Sequence, residues 1–368
     1  MTVPAIGDPN MASAALGGVI GAVVALVATF LLVPVSVRIA RRLGIFDEPG
    51  ARSSHAVATA RLGGIAVGIG AVAGLGAAAL VDPAALGRAT ATGPPLGLVL
   101  GASAVLFGAI GLADDLLRGI PVSVRLLAQV AVGVALVWPS VLGDAVADGL
   151  GAPVLVVAAA TATWIIGYIN AFNFMDGVDG MSAVVAIVVG LDLVIVGALD
   201  EHAVLVVSGL VLAGATAGFL PMNLRRATVF LGDGGSYFLG AWIATTITFG
   251  LALEVPPEAV LAVTVPYVAD VATTLARRVA RGADWRASHH EHAYQQLVEL
   301  GASHLSVTLG VAGASATCAV LGLVSLGAGP VARAGAGAAI VAVAIAYVSA
   351  PALRRRRSAA AVGAPEGR

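Results

Sequence analysis

Eleven apolar runs, each long enough to cross the roughly 30 Å hydrocarbon layer of a bilayer, set the limits on what this chain can become. They cover residues 12–36, 62–81, 95–113, 124–142, 153–170, 180–199, 202–220, 236–253, 257–277, 304–328 and 331–351. Asp200, Glu201 and His202 mark a very short turn between the sixth and seventh. Only 11% of the residues are charged, 59% are hydrophobic and the mean hydropathy is +0.97. A soluble domain carries about 25% charged residues, so a water-soluble globule is excluded. The expected fold is all-α, a polytopic bundle of about eleven transmembrane helices. Residues 1–353 form one catalytic membrane domain in this reading, and residues 354–368 form a basic, disordered cytoplasmic tail. Residues 1–10 lack the basic start of a cleavable signal, so the first run is expected to stay as a span.

The polar connections fix an orientation. Histidines aside, all 20 basic residues are arginine, which rules out a lysine Schiff base or a Walker-type lysine. Nearly all of them fall in 37–61, 114–123, 221–235, 278–303 and the run Arg354–Arg357. The alternate connections at 82–94, 143–152, 200–202 and 254–258 carry acidic residues and only Arg88. Positive charge favours the cytoplasmic side. The N-terminus is therefore expected outside, the C-terminus inside, and the Arg-rich loops facing the cytoplasm. The single cysteine, Cys318, lies in an apolar run and is expected to act as a small buried hydrophobe.

The unusual polar motifs all fall on that Arg-rich side. Asn170-Ala-Phe-Asn-Phe-Met-Asp-Gly-Val-Asp-Gly180 places Asn170, Asn173, Asp176 and Asp179 three residues apart. At helical spacing this stacks oxygens along one drifting face, while the two glycines predict that the helix ends here. Oxygen ligands at a helix end suit a hard cation and the phosphates it carries; an ordinary polar loop is the simpler reading. Asp114 and Asp115 are adjacent carboxylates at another helix end, and such a pair needs a cation, a shared proton or full solvation. Arg118 can pair with an aspartate or hold a phosphate, whereas Arg125 suits charge anchoring at the interface.

Gly232-Asp233-Gly-Gly-Ser236 precedes a helix. Its glycines let backbone N–H groups approach an anion, Asp233 is free for a metal, and Ser236 can serve as an N-cap. Phe230 can stack on a nucleobase or anchor at the boundary. His289, His290 and His292 sit among arginines, and no cysteine or second histidine pair supports zinc. Diphosphate binding is the favoured reading over a metal site or surface decoration. Arg52, His55 and Arg61 form a basic patch that the charge bias alone also explains. Asp270, within a span, needs a polar interior and is expected to support the site from behind; Asp192 is a weaker case. Metal, cationic side chains and tight positioning are what phosphoryl transfer requires, and the apolar bundle around them implies a lipid reactant. A transporter or flippase for a phosphate-bearing solute or lipid is the rival. It would place polar groups at the bilayer midplane on broken helices, which this sequence does not do.

These motifs, in this order, resemble the polyprenyl-phosphate N-acetylhexosamine-1-phosphate transferase superfamily, also called glycosyl transferase family 4. The likeness spans residues 47 to about 296. It implies that a polyprenyl phosphate, undecaprenyl phosphate in bacteria, attacks the β-phosphorus of a UDP-N-acetylhexosamine such as UDP-N-acetylglucosamine. UMP leaves and a lipid-linked cell-envelope glycan is begun at the cytoplasmic membrane. Mg²⁺ is the implied cofactor, with Mn²⁺ as a substitute. By the same resemblance Asp114, Asp115 and Asp233 are catalytic, and Asp233, Asp115 and Asn173 face the metal. The Asn/Asp run, His289, His290, His292, Asn223, Phe230, Arg118 and Arg61 contact substrate. No nucleic-acid partner is expected, and a homodimer is compatible with the sequence. Phe219–Asn223 and His289–Gln295 resemble the O-antigen and wall-polymer initiating branch more than the muramoyl-pentapeptide transferases. The chain departs from that branch at Ala60, Met222 and Arg225-Arg226, where proline, tryptophan and Phe-Pro or Pro-Pro are common, and this bears on sugar specificity.

Overall fold

The computed structural model describes residues 10–47, 58–87, 94–117, 119–137, 153–224, 226–284 and 289–362. The helices are α1 (Met11–Leu43), α2 (Gly63–Val81), α3 (Leu96–Leu117), α4 (Val122–Val137), α5 (Val154–Phe174) and α6 (Met181–Leu199). They continue as α7 (Ala203–Asn223), α8 (Gly232–Ala252), α9 (Pro257–Ala280, with a 3₁₀ turn at Ala262–Thr264), α10 (Ala293–Glu299), α11 (His304–Leu323) and α12 (Pro330–Val362). Within the described residues each of the eleven apolar runs overlaps a helix, and α10 is an additional short one. Among the described residues, α1, α2, α3, α5, α6, α7, α9, α11 and α12 are long and apolar enough to cross a membrane. The chain is therefore a polytopic helical membrane protein.

Packing follows from what lipid permits. Without a hydrophobic drive between helices, close contact of small residues holds them together. On α1 the buried face is Ala14, Gly17, Gly18, Gly21, Ala25 and Thr29, while Leu16, Val23, Val27 and Leu31 point outward. Gly21 meets the Gly74 carbonyl of α2, and Gly214 of α7 lies against the Ala22 carbonyl. At the centre stands α8, buried almost continuously from Gly235 to Gly250. Because it faces protein rather than lipid, it can carry Ser, Thr and Trp. Thr245 hydrogen-bonds Ser103 of α3 at 2.8 Å. Trp242 donates to the Ser208 carbonyl of α7 and Trp164 to the Ala244 carbonyl, each at 3.2 Å.

Successive helices alternate in direction, so their ends sort into two sets. At one end Ser13 bonds Asp82, and Arg333 pairs with Glu258 at 2.7 Å. At the other end the polar motifs collect. There Phe46–Asp47 pairs antiparallel with Thr59–Ala60, and Ala60 also bridges Val229. Phe230 N–H donates to the Ala60 carbonyl at 2.8 Å, and Gly63 N–H to the Phe230 carbonyl at 2.9 Å.

Two boundaries differ from the sequence expectation. The tail is not disordered from 354: α12 continues to Val362, so Arg354–Arg357 ride on its last turns, with Arg355 donating to Gln296 at 3.0 Å. The Gly232–Ser236 segment does not precede α8 but forms its first turn, starting at Gly232 with φ of 73°. Ser236 is accordingly inside the helix and is not its N-cap.

Among the tight crossings is α2 on α8, where a Cβ at Gly64 would lie 2.2 Å from Gly235 Cα. Backbone cannot yield there as a side chain would. Gly64→Val is expected to cost at least about 1–3 kcal/mol through overpacking. Gly76→Val, at a position with nothing within 4 Å, is expected to stay within about 0.5 kcal/mol of wild type. Thermal unfolding in detergent measures both.

Candidate active site

The site is assembled from helix ends. Asp114 and Asp115 lie on the last turns of α3, both buried. They diverge: Asp114 accepts from Arg125 of α4 and from the Ile120 N–H, closing the α3–α4 turn. Asp115 Oδ2 accepts from Gly234 N–H, 2.9 Å away, in the first turn of α8. Its other oxygen, Oδ1, is buried and accepts no hydrogen bond; Arg61 Nη2 lies 3.4 Å from it. The same Nη2 is 3.6 Å from Asp233 Oδ1, and Arg61 Nη1 is 3.8 Å from Asp47. Burial alone would lower the Arg61 pKa, but Asp233, Asp115 and Asp47 outweigh it and raise it, so the guanidinium stays charged.

Close approach makes this possible. A Cβ on Gly232 would lie 2.1 Å from the Arg61 carbonyl and 2.6 Å from Asp115 Oδ2. Asp233, at the N-terminal and electropositive end of α8, accepts from Asn173 Nδ2 at 2.9 Å, and its Oδ2 is 3.9 Å from Arg125. Asn173 also bonds Ser236 at 2.9 Å, which ties α5 to α8.

Beyond Asn173 opens a cavity of about 710 Å³ between α4, α5, α9 and the histidine loop. Asn170, Asn173, Asp176, His289, His290 and His292 all line it. Burial lifts the pKa of Asp176 to about 6 and lowers that of His289 to about 4, the latter reinforced by His292 and Arg278. Asp270 organises the loop from beneath. Its carboxylate lies 3.2 Å from His292 Nδ1 and accepts from Ala293 N–H at 2.9 Å and from Tyr347 Oη at 2.8 Å. Phe174, His292 and Tyr294 stack in sequence, with centroids 6.1 and 5.9 Å apart.

Other expected residues take different places. Asp179 turns away from the cavity: it accepts from Ala227 N–H at 3.2 Å and faces His304 at 3.5 Å. Burial pushes its pKa up, but these hydrogen bonds prevail and hold it below the ordinary value. Asn223 is a brace, accepting from Gly180 N–H and donating to the Val229 carbonyl, each at 2.9 Å. The Phe230 side chain lines neither the histidine cavity nor the carboxylate cluster. Asp192 is buried in α6 with neither oxygen hydrogen-bonded, away from both. Arg118, Arg52 and His55 lie outside the described residues. Sequence reasoning missed Gln129, which bonds Asn170 at 2.7 Å and lines the cavity. The signal was there: Arg125 and Gln129 stand four residues apart on one face of α4. Arg125 itself faces carboxylates rather than anchoring at the interface.

Helices of membrane length, carboxylates crowded at their ends and a histidine-lined cavity beside them define a polar site built into a membrane bundle. The chain belongs to glycosyl transferase family 4, whose model matches residues 97–250. It is 31% identical over 318 residues to the decaprenyl-phosphate N-acetylglucosaminephosphotransferase of Mycobacterium tuberculosis, covering 79% of this chain and 78% of that protein. To the probable undecaprenyl-phosphate N-acetylglucosaminyl 1-phosphate transferase of Bacillus subtilis it is 30% identical, over 78% of each. A phospho-N-acetylmuramoyl-pentapeptide-transferase of Clostridium botulinum matches at 31% over a shorter stretch, 44% of this chain and 52% of that one.

A pH signature follows from Asp176. Its folded pKa of about 6 lies above the value near 3.9 of a free aspartate, so the folded state holds the proton more tightly. The resulting stability is present below about pH 4 and lost as pH rises through about 6. Asp176→Asn mimics the protonated form. It is expected to melt with wild type near pH 4 and above wild type by pH 7, as read by thermal unfolding across that range.

Proposed function

We propose that this protein transfers an N-acetylhexosamine 1-phosphate from a UDP-sugar to a polyprenyl phosphate, releasing UMP. The observation that carries the reading is the buried, hydrogen-bond-free Oδ1 of Asp115, set across Arg61 from Asp233 and beside the histidine cavity. Among the described residues, four carboxylates (Asp47, Asp114, Asp115 and Asp233) face two guanidinium groups (Arg61 and Arg125) in this cluster. That excess of negative charge, with one oxygen left without a donor, fits a divalent cation.

No group of three acidic, histidine or cysteine side chains among the described residues could hold an ion unaided. Mg²⁺, or Mn²⁺ in its place, needs no such group, because it is commonly held by one or two carboxylates with substrate phosphates completing the shell. Asp115 and Asp233 would hold it, with Asn173 positioning Asp233. When bound, the ion neutralises diphosphate charge.

The chain's own groups do the rest. The 710 Å³ cavity is within the usual range of about 300–1,000 Å³ for small-molecule pockets. Its histidines and amides orient the nucleotide sugar, and the aromatic stack offers a flat face. Neutral His289 accepts or donates without repelling the neighbouring arginines. Arg61 and Arg125 stand where charge builds on the transferring phosphate. An oxygen of the acceptor phosphate bonds to the β-phosphorus as the bond from that phosphorus to the bridging oxygen breaks, and UMP carries off the electron pair. The site lies at the Arg-rich end of the bundle, which supports a cytoplasm-facing site in a bacterial inner membrane, with the N-terminus outside and the C-terminus inside. The two long matches to polyprenyl-phosphate N-acetylglucosamine transferases favour a step that begins an envelope glycan.

Membranes bearing the protein, supplied with polyprenyl phosphate, Mg²⁺ and a panel of UDP-N-acetylhexosamines, are expected to release UMP with at least one donor. Chelation should stop it and Mg²⁺ restore it. Asp115→Asn and Asp233→Asn are each expected to lower kcat by at least about 10²–10³-fold while the protein still folds. No UMP from any donor, or near-wild-type rates in both variants, would overturn the reading.

A further inference from the structure

The last turns of α12 carry charge that the transferase reading leaves unused. Arg333, paired with Glu258, and Arg354 bracket a stretch, 334–353, without a charged side chain. At 1.5 Å per residue the two arginines stand about 32 Å apart along the helix, close to the roughly 30 Å of the hydrocarbon layer. Arg354–Arg357 rise through about 4.5 Å more, within the headgroup layer of about 5–8 Å on that side. All four are exposed. α9 runs alongside in register. A hydrogen bond from Tyr347 to Asp270 joins the two helices, and Arg354 and Arg277 lie equally far beyond it along their own helices. Arg277 is exposed too, and bonds to the Thr273 carbonyl and Thr274 Oγ1 of its own helix, each at 3.2 Å.

Consecutive guanidinium groups on a helix repel one another, and the carboxylates of this end do not relieve them. Glu291 is taken by Arg278 and Arg281. Among the described residues Arg354–Arg357 form no ion pair with it, with Asp284 or with Glu299. The counter-ion that fits is an anion fixed at the edge of the hydrocarbon layer, and a phospholipid phosphate is one, with oxygens that match the guanidinium fork. Arg355 points elsewhere. Successive residues turn by about 100°, and this one faces α10, donating to Gln296 Oε1 at 3.0 Å. The same amide donates through Nε2 to the Glu291 carbonyl at 2.6 Å. Glu291 lies between His290 and His292, which line the histidine cavity. We propose that Arg354, Arg356, Arg357 and Arg277 hold anionic phospholipids of the adjoining leaflet, and that this contact steadies the histidine loop through Arg355 and Gln296. The lipid contact stands by itself. Its effect on the donor rests on the histidine cavity taking the nucleotide sugar.

The test uses the full chain in nanodiscs of phosphatidylcholine with or without phosphatidylglycerol. A phosphatidylglycerol carrying a diazirine near its glycerol is expected to label residues 350–358 and 273–281. Unlabelled phosphatidylglycerol should compete at least about fivefold better than phosphatidylcholine, the weight of one arginine at the surface. The variant with Arg354→Gln, Arg356→Gln and Arg357→Gln should lose that discrimination; equal competition by both lipids on wild type would overturn the site. Hydrogen exchange reads the coupling. Phosphatidylglycerol is expected to slow exchange over 289–299 at least about twofold, and Arg355→Gln should keep the lipid labels but lose this response. Arg41→Gln with Arg42→Gln, exposed at the end of α1, should keep both. Loss of the response in that α1 variant would trace it to bulk surface charge, and its reproduction by soluble glycerol 3-phosphate would remove the lipid; either refutes the proposal, as does exchange indifferent to phosphatidylglycerol. The donor KM should fall with phosphatidylglycerol in wild type and not in Arg355→Gln. Labelling and exchange need no turnover, so both responses on a protein that releases no UMP would sink the transferase reading and leave this one standing. UMP release without lipid discrimination would do the reverse.

Discussion

One guanidinium holds the site together. Arg61 lies within ion-pair distance of Asp47, Asp115 and Asp233, which come from three separate segments of the chain. Without a cation among them, carboxylates brought this close would repel or take up protons. Arg61 has little freedom to be elsewhere. The two-residue strand before it is paired on one side to Phe46–Asp47 and bridged on the other to Val229, and its carbonyl lies against Gly232. The backbone that fixes the cation also fixes the start of α8, and with it Asp233 and the Gly234 N–H that Asp115 reads. Helix packing and site electrostatics are therefore one constraint.

The histidine loop has its own anchor. A carboxylate within a span is expensive unless its oxygens are used, and Asp270 uses both. It gathers the imidazole of His292, the backbone of α10 and the hydroxyl of Tyr347 on α12. The histidine loop with α10, and α12, are thus pinned to α9 beneath the cavity. The position of His292 is a property of the whole C-terminal third of the chain, and its two neighbours His289 and His290 are carried with it to the cavity wall.

Much of this was legible in the residues, and the misses share a cause. Long apolar runs announce helices because nothing else satisfies a backbone in lipid, and acidic or amide side chains at their ends stand out against that background. The three-residue period from Asn170 to Asp179 looked like one face. The helix stops at Phe174, so only Asn170 and Asn173 keep helical register. Asp176 turns into the cavity and Asp179 out to Ala227 and His304, a choice made by partners that no local pattern names. Asn223 has the composition of a ligand and the contacts of a brace. Gln129 is one amide in an apolar run, and its meaning comes only from Asn170 across the helix interface. Likewise, the arginines at 354–357 look disordered by charge alone, whereas α12 simply continues through them.

The interior position of α8 bears on how such a chain is threaded. Facing almost no lipid, it carries Ser, Thr and Trp among its apolar residues, and among the described residues it is not one of the nine helices that qualify as spans by hydropathy. Each crossing reverses the side on which the next loop emerges. A count that skipped α8 would send the histidine loop to the face opposite Asp115. The structure sets that loop and the α3 carboxylates on the same end, joined through Asn173 and Asp233. This interior helix is thus the one whose crossing brings the two halves of the site to the same side. Its Thr245 and Trp242 side chains find their hydrogen-bond partners only on α3 and α7, so settling this segment leans on helices already in place.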